Sequence, residues 1–86
     1  MKRDEILKTA AELICSDRES DYGSPEDNFK TIAGYWAHYK GVDFSAHDVA
    51  VMMALLKIAR IQTGRFKADS YIDACGYLAI AGEIGE

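Results

Sequence analysis

Residues 48–60, DVAVMMALLKIAR, constrain the fold more than any other stretch of this chain. Wound at about 100° per residue, they place Val49, Met52, Met53, Leu56 and Ala59 in one broad stripe, with Arg60 projecting within it and Lys57 at its edge. The other side carries Ala50, Val51, Ala54, Leu55 and Ile58, so little of this helix suits water. A helix that is apolar all round is a central one. In a chain of 86 residues, one core is marginal, and that predicts neighbours supplied by a second subunit.

Three further helices are predicted around it. Residues 3–16 repeat Ile6, Leu7, Ala10, Ala11, Leu13 and Ile14 at helical spacing, against Lys8, Thr9 and Glu12 on the other face. Residues 16–24, SDRESDYGS, have no apolar period and read as a charged loop. Ser24, Pro25, Glu26 and Asp27 then start a helix over 25–40, because serine caps, proline suits the first helical position, and acids complement the dipole. It buries Phe29, Ile32, Ala33, Trp36 and Tyr39 and stops at Gly41. Ser45 with Asp48 forms a capping box for a helix over 46–63, which ends at Gly64. After a basic connection, Arg65-Phe66-Lys67, a fourth helix covers 69–81, with Ile72, Cys75, Leu78 and Ala79 as its core stripe and Gly76 permitting a close helix contact.

Four helices with short links give a single all-α domain over 1–86, a four-helix antiparallel bundle completed by oligomerisation through helices three and four. In that topology the connections after helices one and three lie at the same end. Lys57 and Arg60 then approach Asp73 and Asp69, with Arg60–Asp73 the expected pair, while Glu26, Asp27 and the loop residues Arg18, Asp21 and Tyr22 gather nearby. Such a mixed-charge cluster has two readings. Structurally, it is a set of ion pairs that fixes helix register in a protein-interaction module. Functionally, it is a ligand site of Arg18, Asp21, Tyr22, Lys57, Arg60, Asp69 and Asp73, in which the cations meet phosphate oxygens. Glu26, Asp27, Asp69 and Asp73 are the candidates to hold Mg²⁺, a hard ion that shares oxygen ligands with phosphates.

Composition narrows the partners. A net charge of −4 argues against general binding to nucleic-acid backbone. The two cysteines, Cys15 and Cys75, lack metal-ligand spacing and read as reduced core residues of a cytoplasmic protein. His38 and His47 are isolated polar residues. No secretory signal and no membrane-spanning run is expected, and catalytic residues cannot be assigned.

The chain resembles a family of small phage and prophage proteins of unknown function. The resemblance rests on Asp17-Arg18, Asp21-Tyr22-Gly23, Pro25, Asn28-Phe29, Ile32-Ala33 and Trp36, then on Asp48-Val49-Ala50, Met53, Leu56-Lys57-Ile58-Ala59-Arg60, Asp69-Ser70, Asp73 and Gly76-Tyr77. It implies the cytoplasm of a host cell. More distantly the chain is similar to nucleotide-modification-associated domains and to MazG-like nucleotide pyrophosphatases, which implies Mg²⁺-dependent cleavage of a nucleoside triphosphate. Those enzymes place E-x-x-E on one helix and E-x-x-D on the next. Here Lys57-x-x-Arg60 occupies the first set, and Asp69 and Asp73 stand at a different spacing in the second. Cations in place of metal ligands favour nucleotide binding without hydrolysis, in nucleotide metabolism or sequestration.

Overall fold

The computed structural model describes residues 1–15 and 23–85. It contains helices α1 (Arg3–Ile14), α2 (Pro25–Lys40), α3 (Ala46–Thr63) and α4 (Ala68–Gly85), and no strand among the described residues. The all-α helical bundle expected from the sequence is therefore the observed fold. Helix ends follow the capping signals. Ser24 Oγ accepts the Asp27 N–H at 3.1 Å with Pro25 behind it. Gly41 closes α2 at φ 72°, in the left-handed region where a Cβ is strained, and its N–H reaches Ala37 O at 2.8 Å. Only α4 departs clearly, running to Gly85 rather than stopping near residue 81.

Ser45 and Asp48 form the expected reciprocal cap. The Asp48 N–H donates to Ser45 Oγ at 3.0 Å, and the Ser45 N–H donates to Asp48 Oδ2 at 2.9 Å. The backbone hydrogen bond from Ser45 is the main reason the Asp48 carboxyl titrates below the ordinary aspartate range; the Ser45 hydroxyl and His47 add to it. A folded-state pKa below the unfolded one adds stability that is present above the unfolded value and lost as pH falls through the folded value. Asp48→Asn should therefore melt earlier than the parent at neutral pH, with the gap closing as the buffer is taken below the carboxylate range. A constant gap across that range, read by thermal melts followed by circular dichroism, would remove the cap from the account.

In space the helices follow the order α1, α4, α3, α2. The α3–α4 contact is the most extensive, α1 rests on α4, and α2 rests on α3 with a lesser contact to α4. Helices α3 and α4 run antiparallel, since Lys57 meets Asp73 and a Cβ at Gly85 would come within 2.9 Å of the His47 ring. Among the described residues, the side between α1 and α2 is open. The core lies among α2, α3 and α4, with Phe29, Ala33, Ala46, Val49, Ala50 and Ala81 buried and Ile32, Trp36, Phe44, Val51, Met53, Tyr77, Ile80 and Ile84 packed around them. Trp36 sits edge-on to Phe44 at 6.0 Å, a core role rather than a stacking platform.

Burial corrects the wheel of α3. Its core face is Val49, Ala50 and Ala54, whereas Met52, Leu56, Ala59 and Arg60 of the expected stripe are exposed. On α4, Ile72 is buried as expected, but Ala74, Gly76 and Ala81 join it while Leu78 and Ala79 face out. The reason is closeness of approach: alanine and glycine let backbones pack where leucine would hold them apart. Gly76 has this role, because a Cβ there would lie 2.9 Å from Ile14 Cγ2. Smaller expectations of burial also change. Tyr39 is 86% exposed, Cys15 is exposed at the end of α1 and Cys75 is only half-buried, while both cysteines are free thiols as expected. No helix among the described residues is long and apolar enough to cross a membrane.

Candidate functional site

The open side of the bundle is a cleft of about 490 Å³. Its floor is α4, through Ile72, Asp73, Gly76, Tyr77 and Ile80, residues that recur on one helical face. One wall is α1, with Ala10, Leu13 and Ile14. The other is the start of α2, with Gly23 and Pro25 leading into Asn28 and Phe29. Lys57 reaches in from α3. Apolar side chains thus surround a small polar set of Lys57, Asp73, Asn28 and Tyr77, the usual make-up of a small-molecule site.

Lys57 Nζ lies 2.9 Å from Asp73 Oδ2, with the two side chains 15% and 32% exposed. Helical geometry brings them together. Lys57 is the one cation on the side of α3 that borders α4, and Asp73 opens the cleft-lining face of α4. The lysine side chain is largely covered while it lines the cleft and meets Asp73, the ordinary behaviour of an amphipathic side chain. Phe29 and Tyr77 stand 6.1 Å apart and tilted by 41°, giving the cleft an aromatic flank. The α2 N-terminus adds the positive end of a helix dipole beside Pro25.

The expected cluster is thus only partly assembled. Lys57 and Asp73 meet in the cleft. Arg60 does not make the expected pair with Asp73; it is exposed, about 60° around α3 from Lys57. Asp69 is exposed in the first turn of α4, one turn beyond Asp73, and does not line the cleft. Glu26 pairs with Lys30 across one turn at 3.7 Å, and Asp27 is exposed. Both turn away from the cleft because Pro25, Asn28 and Phe29 hold the shared face of that turn, leaving positions 26 and 27 to point elsewhere. Among the described residues no three His, Cys, Asp or Glu side chains gather as a metal site. Arg18, Asp21 and Tyr22 lie outside the described residues.

Asn28 and Tyr77 are the polar groups that site reasoning from charge alone passes over. Both were readable as helical neighbours: Asn28 stands three residues after Pro25, and Tyr77 four after Asp73. The α1 wall carries no such signal, because its contribution is apolar.

Fold and cleft together define a small all-α domain with a half-open cleft of mixed polarity among its described residues. The chain belongs to the DUF6378 family, a domain of unknown function, whose family model matches residues 5–85. It is 46% identical over 76 residues to the Gene 55 protein of Mycobacterium phage L5, covering 87% of this chain and 49% of that protein. To the Gene 55 protein of Mycobacterium phage D29 it is 40% identical over 81 residues, covering 94% of this chain and 54% of that one. The resemblance to small phage proteins of unknown function is thereby borne out. The chain spans about half the length of these relatives. No solved structure matches it.

Proposed function

We propose that this domain binds a phosphate-bearing small molecule, a nucleotide above all, in the cleft between α1 and α2. The observation that supports this is the Lys57–Asp73 pair, held at 2.9 Å in the wall of a cleft of about 490 Å³ whose other described lining residues are mostly of apolar type. A ligand with an anionic end and a flat apolar end suits it, because the ammonium can bond phosphate oxygens while the Phe29 and Tyr77 flank takes the ring. The Asn28 amide, with two donors and an acceptor oxygen, supplies direction for the edge of a base. Asp73 holds the lysine in place when no ligand is present.

Hydrolysis is not part of the proposal. Asp73 is the one carboxylate of the cleft lining among the described residues, and Lys57 already engages it. Retention or delivery of a nucleotide is the role this favours. Thermal-shift screening against nucleoside mono-, di- and triphosphates and cyclic nucleotides, with and without Mg²⁺, is the direct test. At a ligand concentration 100 times Kd, stabilisation should reach about 2.7 kcal/mol. A melting temperature that stays put for every phosphate-bearing compound would end the proposal.

A further inference from the structure

The face of the α3–α4 layer opposite the cleft carries a second feature, independent of the ligand site. On α4, Tyr71, Cys75, Leu78 and Gly82 recur on the side away from Asp73, Gly76 and Ile80. On α3, Leu55, Ile58 and Gln62 recur away from Val49 and Met53, with Met52 and Ala59 at their margin. The antiparallel register set by Lys57 and Asp73 places Leu55 level with Cys75 and Met52 level with Leu78. The two stripes therefore form one continuous surface. No charged side chain interrupts it between Asp48 at one end and the Phe66–Tyr71 ring pair at the other.

Much of this surface is in contact with water. Leu55 is 57% exposed, Leu78 50%, Ile58 47%, and Met52 and Tyr71 38% each. With Ala59, Ala79 and Gly82 alongside, the patch is on the order of 500 Å² per copy, the size of the largest and often functional patches on monomers. Two copies meeting on it remove about 1,000 Å², the threshold for a specific interface.

We infer that this face is the contact between two copies of the chain, packed antiparallel about a two-fold axis perpendicular to the helices. Charge at the two ends supports both the occupant and the orientation. On the α3–α4 layer itself, the end holding the start of α3 carries exposed Asp48 beside Asp43 of the preceding connection. At the opposite end the connection between the two helices carries exposed Arg65 and Lys67 against Asp69. An antiparallel pair sets each acidic end beside the partner's basic end, whereas a parallel pair stacks like upon like. Closing this face leaves the cleft open, so two ligand sites point outward from the dimer.

Sedimentation equilibrium over the micromolar range tests the inference on the unmodified chain. The expected result is a dimer that weakens as salt rises, because the end charges are screened. Leu55→Glu and Leu78→Glu should each raise the dissociation constant at least 10-fold while circular dichroism keeps its helical signal. The Leu55→Ala/Leu78→Ala double variant, which introduces no charge, should weaken the dimer in the same direction. Tyr35→Glu, on the outer face of α2, should leave it intact. A monomer throughout the range overturns the inference. So does a dimer that tolerates changes at Leu55 and Leu78 yet dissociates with Tyr35→Glu. None of these readouts depends on nucleotide, so the ligand proposal stands or falls separately.

Discussion

Ala50→Leu is expected to lower the melting temperature by roughly 5–20 °C, whereas Tyr39→Ala should shift it only slightly. Ala50 is fully buried in the α3 face that packs against its neighbours. Three added carbons there must push apart helices held close by Ala33, Ala46, Ala54 and Ala81. Overpacking of that kind costs about 1–3 kcal/mol. A domain of this size has on the order of 5 kcal/mol in total, so the loss is a large share of it. Tyr39 is 86% exposed, and its removal takes almost nothing from the core. Thermal melts of the two variants decide the matter. A harmless Ala50→Leu would mean that the α3 face is loosely packed, and a damaging Tyr39→Ala would mean that α2 is turned the wrong way.

That ranking inverts what residue type alone suggests, and it shows where the sequence is and is not legible. Helix ends could be read because caps are local: Ser24 with Pro25, Gly41, and the Ser45–Asp48 box each satisfy backbone groups within a few residues. The orientation of α2 could be read as well, since Phe29, Ile32, Ala33 and Trp36 contrast with a polar far side. Helices α3 and α4 offer no such contrast. When both faces are apolar, periodicity cannot say which one packs, and the outcome turns on the closeness that alanine and glycine allow. Buried Ala54 and Ala74, set against exposed Leu55 and Leu78, are that outcome.

The same ambiguity displaced the candidate site by one residue choice. Convergence of cations on α3 with carboxylates on α4 was legible from the antiparallel topology. Which cation meets Asp73 was not, because Lys57 and Arg60 differ by about 60° around the helix and the core face was assigned to the Arg60 side. Once Val49, Ala50 and Ala54 define that face, Lys57 is the cation beside α4, and Arg60 is left in solvent. The cleft itself was invisible beforehand. It exists because α1 packs on α4 without closing against α2, a property of helix placement rather than of any motif.

Lys57→Met should weaken nucleotide binding by about 10- to 100-fold, the worth of a charge-assisted hydrogen bond to phosphate, while leaving the domain folded. The remaining Asp73 carboxylate is about one-third exposed and faces an open cleft, so water can solvate it. The stability cost should then fall well short of the 3–5 kcal/mol of a fully buried orphan charge. Asp73→Asn separates the readings by sign. If Lys57 receives a phosphate in the cleft, the amide removes a competing acceptor and a repelling charge, and phosphate affinity should rise even as the melting temperature drops. If the pair is only structural, Lys57→Met and Asp73→Asn should both lose stability, and neither should change a nucleotide titration. Combining the substitutions sharpens this further: the double variant should recover part of the lost stability, since no unpaired charge remains, yet it should not recover binding, since the cation is gone. Calorimetric titration and thermal melting of the three variants therefore test both roles of the pair in one series. Arg60→Met serves as the control, expected within about 0.5 kcal/mol of the parent because its side chain is exposed.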